Sequence, residues 1–449
     1  MFFSTFIVLH AYFSQRTRDW CAICLLFAAG ASATATGASA AVVPRLPAEL
    51  GTLVTAAIRN HPIAQSAQAR QRAALQDVAV AERRRWPTLT AITESTVGGA
   101  TPASQVMTLS IEQTLWDNGA GEARISAVAT AADISEHQVA LEQQDLAVKT
   151  INAWEAMLSA QRRLNAATTT VNAIEGFKAQ MTRRVNSMAS PEIDLALVEA
   201  RLLQTQVERL AATNDLRTAL QNLARLTGLT RLDEQTWADA ATVAKPLSRA
   251  GVAAFKMQLR NADWEAITRH HPLVEKAQLE YAVANAQLKA KLADRWPQAY
   301  ARVEQPLANN PLTSSNQASY LVGLRYTPGA GFSTQLEARA LAERLEAQSH
   351  DIEDATRTVT QLIFDDEQAF QTSAAQAQAQ AASLLGAQRV LASYERQFHA
   401  GRKTWQDLLN AAREVAQNEF NLSDAQSAMQ GAMYRLQVRL GAIAALNQK

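Results

Sequence analysis

The triplet Arg85-Trp86-Pro87 returns as Arg295-Trp296-Pro297, and this repetition constrains the fold of the 449-residue chain more than any other feature. The same offset of 210 maps His61-Pro62 onto His271-Pro272, Arg59 onto Arg269, and Gly119-Ala120-Gly121 onto Gly329-Ala330-Gly331. Further on, the register shifts by three, so that Asp194 pairs with Asp407 and Gly228 with Gly441. Four kinds of landmark in one ungapped register indicate an internal duplication in units of roughly 190 residues, a symmetry to be read before any single motif. Two pseudo-equivalent halves are expected where length alone would suggest about three domains.

Within each unit the pattern runs helix, strand, strand, long helix, helix. Residues 63–85 are rich in Ala, Gln and Arg and read as a helix that Pro87 stops, because the residue before a proline is forced out of helical geometry. Strands follow over about 87–97 and 105–116, separated by the turn-like "GGATPAS". In the second strand Met107, Leu109, Ile111 and Leu115 alternate with Thr108, Ser110, Glu112 and Thr114, which gives one apolar face. The second unit repeats this over about 297–305 and 318–327. There Ala299, Ala301 and Val303 alternate with Gln298, Arg302 and Glu304, and Tyr320, Val322, Leu324 and Tyr326 oppose Ser319, Gly323 and Arg325.

The next helices are unusually long. Neither 121–187 nor 331–400 contains a proline, and each stretch predicts a helix on the order of 100 Å long. The shorter helices before the Trp-Pro corners and over 191–226 and 405–440 together match that length, so two short helices stacked end to end balance one long one. Ile125, Ala132, Val139, Leu146, Ala153 and Ala160 recur every seventh residue as a coiled-coil seam. Ile134, Leu141 and Val148 form a second seam ~200° away, which makes the helix a stave between two neighbours. The seams by themselves also fit the middle of an ordinary soluble bundle.

Composition narrows the function classes. A net charge of +1 leaves no basic footprint for nucleic acid. Arg16 and Arg18 precede the apolar run 20–29, and small residues end at Ala40, so residues 1–40 are expected to be a signal peptide cleaved before Ala41. Both cysteines, Cys21 and Cys24, lie in that leader, so an exported mature chain without disulfides is expected. No metal or cofactor motif emerges. His61 and His271 precede prolines where helices start, a boundary role rather than ligation, and Gly329-x-Gly331 lacks the third glycine of a dinucleotide loop. Without a nucleophile–base or metal-ligand cluster, an enzyme is not expected.

Strands of about ten residues suit a tilted membrane-spanning strand. Four cannot close a barrel, since the smallest membrane barrels use eight, and an open edge in lipid leaves backbone groups unpaired at several kcal/mol each. If these strands span a bilayer, several copies must pool them in one barrel. Trp86 and Trp296 would then mark where such a barrel leaves the bilayer, in an aromatic girdle; the alternative is that they cap a hydrophobic core.

This arrangement, with "YERQFHAGRKTWQDLLNAARE" over 394–414, resembles the TolC-type outer-membrane factor family across nearly all of the mature chain. The resemblance implies a mainly α fold in which long antiparallel coiled-coil helices form an α-barrel. It also implies four transmembrane strands per protomer, joined in a homotrimer as a shared 12-stranded β-barrel. Repeats over 41–228 and 263–449 would flank an equatorial linker at 229–262. Expected partners are outer-membrane lipid, a periplasmic adaptor (membrane fusion) protein and an inner-membrane ABC or proton-driven exporter.

By the same resemblance Gly401 matches the hairpin-turn glycine and Asp407 the first pore-facing acid. Lys403 stands at a basic lock position, and Asp194 at that of its acidic partner. Asn410 replaces a second acid, and Phe398 replaces a hydroxyl-bearing tyrosine. Asp407 also fits a capping box begun by Thr404, and Asp194 a helix start after Ser190-Pro191, roles compatible with pore lining. The expected function is a passive duct for type I protein secretion or efflux, with "AGRKTWQDLLNAARE" closer to secretion members. A pore-less periplasmic coiled-coil scaffold is the alternative.

Overall fold

The computed structural model describes residues 46–95, 105–229, 247–307 and 317–442. The expected signal peptide and the "GGATPAS" turn lie outside them. The first repeat comprises α1 (Ala48–Asn60), α2 (Pro62–Arg83), β1 (Thr88–Ser95), β2 (Gln105–Trp116), α3 (Ala120–Asn186) and α4 (Glu192–Thr227). After α5 (Arg249–Arg260) and α6 (Trp264–Arg269), the second comprises α7 (Pro272–Ala293), β3 (Gln298–Pro306), β4 (Ser319–Arg325), α8 (Ser333–His399) and α9 (Trp405–Gln437).

Both long helices have 67 residues, and both helices before the Trp-Pro corners have 22. The three-residue shift in register falls at one place. The 3-10 turn Ala330–Phe332 is inserted ahead of α8, and both ends of α8 and the start of α9 sit 213 positions after their counterparts. The closing glycines Gly228 and Gly441 keep that spacing, and both adopt the left-handed conformation that lets a chain leave a helix. His61 and His271 also act alike: each imidazole Nδ1 accepts from the backbone N–H two residues on, at 3.3 and 3.2 Å, and so caps the helix that its proline begins.

Laterally the helices form a four-stave wall. α2 and α4 pack on α3, α3 packs on α7 and α9, and α8 packs on those two from the other side. In the first repeat the end of α1 meets the end of α4, where Asn60 Nδ2 donates to the Thr227 carbonyl at 2.9 Å. The strands follow the same order, β1-β2-β3-β4, all antiparallel. Burial agrees with the seams: Ala132, Val139, Leu146 and Ala160 are buried, while Ile134, Leu141 and Val148 are half-buried.

The main core lies midway along the long helices. Trp154 meets Tyr434 edge-to-face at 5.4 Å, and Phe255 meets Phe370 at 5.0 Å. α1 buries Leu50, Leu53, Val54 and Ile58 there, and α5 contributes Phe255 and Leu259. A charged network ties α8 to α9 and α9 to α3 beside it. Asp366 accepts from Arg435 at 3.1 Å and from Arg439, and Arg435 also reaches Glu155 at 2.8 Å. A second core at the far end gathers Val171, Ile174, Met181, Leu202, Phe398, Trp405 and Leu408 from all four staves.

Candidate functional site

Directly opposed residues of antiparallel strands share a face. The register therefore separates the sheet into two sides. One carries Leu89, Ala91, Met107, Leu109, Ile111, Ala299, Ala301, Val303, Tyr320, Val322 and Leu324, and no charged residue of the strands. The other carries all of them: Glu94, Glu112, Arg302, Glu304 and Arg325, with Thr88, Thr90, Ser110 and Tyr300. Exposed Leu89, Ile111, Tyr320, Val322 and Leu324 leave the apolar side uncovered within one chain.

Each of the four crossings between helix and strand carries an exposed aromatic. Trp86 precedes β1 and is 72% exposed, Trp116 ends β2, Trp296 precedes β3 and Tyr326 follows β4. The sequence reading named Trp86 and Trp296 only. The other two were legible as aromatics at predicted strand ends.

The wall has two open edges, and both are apolar. On α8, Leu336, Phe364 and Leu385 are exposed and fall on one heptad position, opposite the seam of Val359, Ile363 and Phe370 that packs inward. On α4, Leu203, Val207 and Leu210 are exposed at three- and four-residue spacing, opposite buried Val198, Leu202 and Thr205. α2 continues that edge with exposed Leu75 and Val80.

At the end distant from the sheet, Gly401 makes the turn between α8 and α9 with φ +72°. Thr404 then starts α9 with a complete capping box: Asp407 N–H donates to Thr404 Oγ1 at 3.2 Å, and Thr404 N–H donates to Asp407 Oδ2 at 3.1 Å. The Thr404 hydroxyl also donates to Asp407 Oδ2 at 2.8 Å. These bonds, and Lys403 Nζ at 3.8 Å, hold the Asp407 carboxyl below the usual carboxylate range. Asp407 and Asn410 line a cavity of about 890 Å³ together with Glu414 and Gln417 on the same face of α9 and Gln204 and Glu208 of α4. The sequence reading missed Glu414 and Gln417, although the spacing 407, 410, 414, 417 is a polar helical stripe.

The remaining residues named from sequence sit apart. Lys403 lies 4.3 Å over the Tyr394 ring and beside Asp407, and the structure does not bring it to Asp194 within one chain. Asp194 lies in the first turn of α4, and its carboxylate has no partner among the described residues. Phe398 is buried against Trp405 at 4.9 Å, with the Arg184 guanidinium 5.0 Å from its ring centre. That contact ties the tip of the first helical hairpin to the second without a hydroxyl. Among the described residues, no helix is long and apolar enough to cross a membrane, and none group as a metal site.

The sequence model of outer membrane efflux proteins matches residues 53–229. No curated protein sequence matches the chain. Solved structures share its fold at low identity. A membrane protein from Pseudomonas aeruginosa is 18% identical, with TM-score 0.74 over 89% of this chain and 91% of that one. The outer membrane protein VceC from Vibrio cholerae is 15% identical, with TM-score 0.70 over 89% and 96%. The Campylobacter jejuni CmeC outer membrane channel is 13% identical, with TM-score 0.72 over 88% and 86%. The first repeat is thus similar to outer membrane efflux proteins, and the chain as a whole shares the fold of these outer-membrane structures.

Proposed function

We propose that the chain is the protomer of a homotrimeric duct across the outer membrane, continued through the periplasm as an α-helical tunnel. The observation that carries this reading is the open two-faced sheet: four strands with free edges at β1 and β4, apolar on one side and charged on the other. Such a sheet is stable in lipid only when closed, and three copies supply a 12-stranded barrel with its polar side inward. The apolar seams on α8 and on α2 and α4 support the same closure, since one edge would meet the other edge of the next copy. A pore-less scaffold leaves both the sheet and the seams uncovered.

In this reading Trp86 and Trp296, with Trp116 and Tyr326, form the aromatic girdle at the periplasmic interface. Asp407 and Asn410 line the periplasmic aperture, and Gly401 shapes the hairpin that docks with a periplasmic adaptor protein. Phe398 under Arg184 and Lys403 on Asp407 hold the tip, and Asp194 is left to pair across the subunit boundary. Cargo arrives from an inner-membrane exporter, ABC or proton-driven, and that exporter decides between type I protein secretion and efflux.

Detergent-extracted protein should run as a trimer and conduct ions in planar bilayers. A monomeric, water-soluble, silent protein would refute the duct. Asp407→Ala should lower cation preference, as removal of a carboxylate ring does; unchanged selectivity would remove Asp407 from the aperture.

A further inference from the structure

The polar side of the sheet holds one built cluster that the tip and the girdle do not use. Arg302 Nε donates to Glu112 Oε2 at 2.9 Å, and Arg325 Nη1 reaches Glu112 Oε1 at 2.9 Å, so one carboxylate on β2 accepts from β3 and β4 together. Glu304 takes the other side of Arg302 at 3.0 Å. The Tyr300 ring lies between the two cations, 4.5 Å from Arg325 and 5.5 Å from Arg302. Gly323 makes room for it, because a Cβ there would stand 3.0 Å from the Tyr300 hydroxyl oxygen. Among the described residues Arg302 therefore pairs with two carboxylates, whereas Arg325 pairs with Glu112.

We infer that Glu112 sets the charge of the barrel lumen by neutralising Arg325, which makes these two residues a second determinant of ion selectivity, separate from Asp407. The inference rests on the closed-barrel reading, in which this face lines the water-filled interior. The cluster occupies the periplasmic half of the strands: Arg325 ends β4 and Tyr300 lies near the start of β3. Every ion leaving the tunnel would pass it. Within the cluster, Glu112 and Glu304 balance Arg302 and Arg325. Loss of Glu112 leaves one surplus positive charge per protomer, carried by Arg325, while Arg302 keeps Glu304.

The test is the potassium-to-chloride permeability ratio of purified full-length protein in planar bilayers under a KCl gradient. It is read in the wild-type and Asp407→Asn backgrounds so that the tip does not mask the barrel. Glu112→Gln should lower the ratio by about fourfold, as a unit charge some 10 Å away in water disfavours the cation and favours the anion by about twofold each. Arg325→Gln should raise it by a similar factor. The double variant is charge-balanced again and should return to the starting ratio, which a merely structural role would not do. Conducting variants with unchanged ratios, or a double variant that departs further, would overturn the inference alone. Should Glu112→Gln fail to assemble, Arg325→Gln decides by itself, and a ratio that does not rise overturns the proposal. A wild-type protein that conducts nothing would overturn the closed barrel and this inference together.

Discussion

The two long helices are equal in length and in position within their repeats, yet they live in different surroundings. α3 is flanked on both sides within one chain, by α2 and α4 and by α7 and α9, and it buries Trp154, Met157 and Leu158. Among the described residues α8 has wall helices on one side only, α7 and α9, and leaves Leu336, Phe364 and Leu385 in the open. Duplication made equivalent staves, and a single chain supplies neighbours on both sides for only one of them. The difference therefore measures what a second copy must provide.

The sharpest way to break this comparison is to cut the same kind of side chain from each helix. Trp154 is 3% exposed, and Trp154→Ala should destabilise the folded protomer by roughly 3–5 kcal/mol, seen as loss of helicity at lower temperature by circular dichroism. Phe364 is 53% exposed, so Phe364→Glu should preserve helicity and abolish the trimer in size-exclusion chromatography with light scattering. A trimer that survives Phe364→Glu would mean that the α8 edge is not an interface.

The helix-capping histidines extend the contrast to pH. His271 is 5% exposed, and burial, then nearby Arg439, pushes its pKa down to about 4, while Glu275 opposes the shift. The unfolded ring titrates near 6.5, so between these values the unfolded state binds the extra proton. Stability is full above about pH 6.5 and is lost as pH falls toward 4, by about 3 kcal/mol per protomer at most. His271→Asn keeps a capping side chain and should flatten urea stability across that window. The matching change at half-exposed His61 is the control, and equal profiles for the two variants would erase the contrast.

The smallest expected difference lies at the hairpin tips. α9 starts with a capping box, whereas α4 starts after Pro191 without a side-chain cap. Thr404→Ala should cost about 1 kcal/mol in urea unfolding. It should leave cation preference at neutral pH intact, because Asp407 remains ionised without its cap. A selectivity change in Thr404→Ala would mean that capping and pore lining are one function at Asp407.

Much of the helix and strand pattern was legible because its causes are local. Pro87 and Pro297 end helices where residues alternate afterwards, and all four strands formed within a few residues of their expected places. The capping box at Thr404 and the boundary histidines were also readable from a few consecutive residues. α1 and α5 were not read as helices, although Leu50, Leu53, Val54 and Ile58 have helical spacing; both are short and owe their burial to the mid-wall core. The Glu112–Arg302–Arg325 cluster and the Asp366–Arg435–Arg439 network could not be found in advance, since their members lie far apart in sequence and meet through sheet register or helix packing.

By itself, the sequence determined the duplication, the helix stops and the two-faced strands, because proline geometry and side-chain periodicity act over a few residues. Only the tertiary structure decided which long helix lies inside the wall and which at its edge, which cations share a carboxylate, and that Lys403 turns to Asp407. Those outcomes depend on the lateral order of staves and on strand register, which are set by packing between residues hundreds of positions apart.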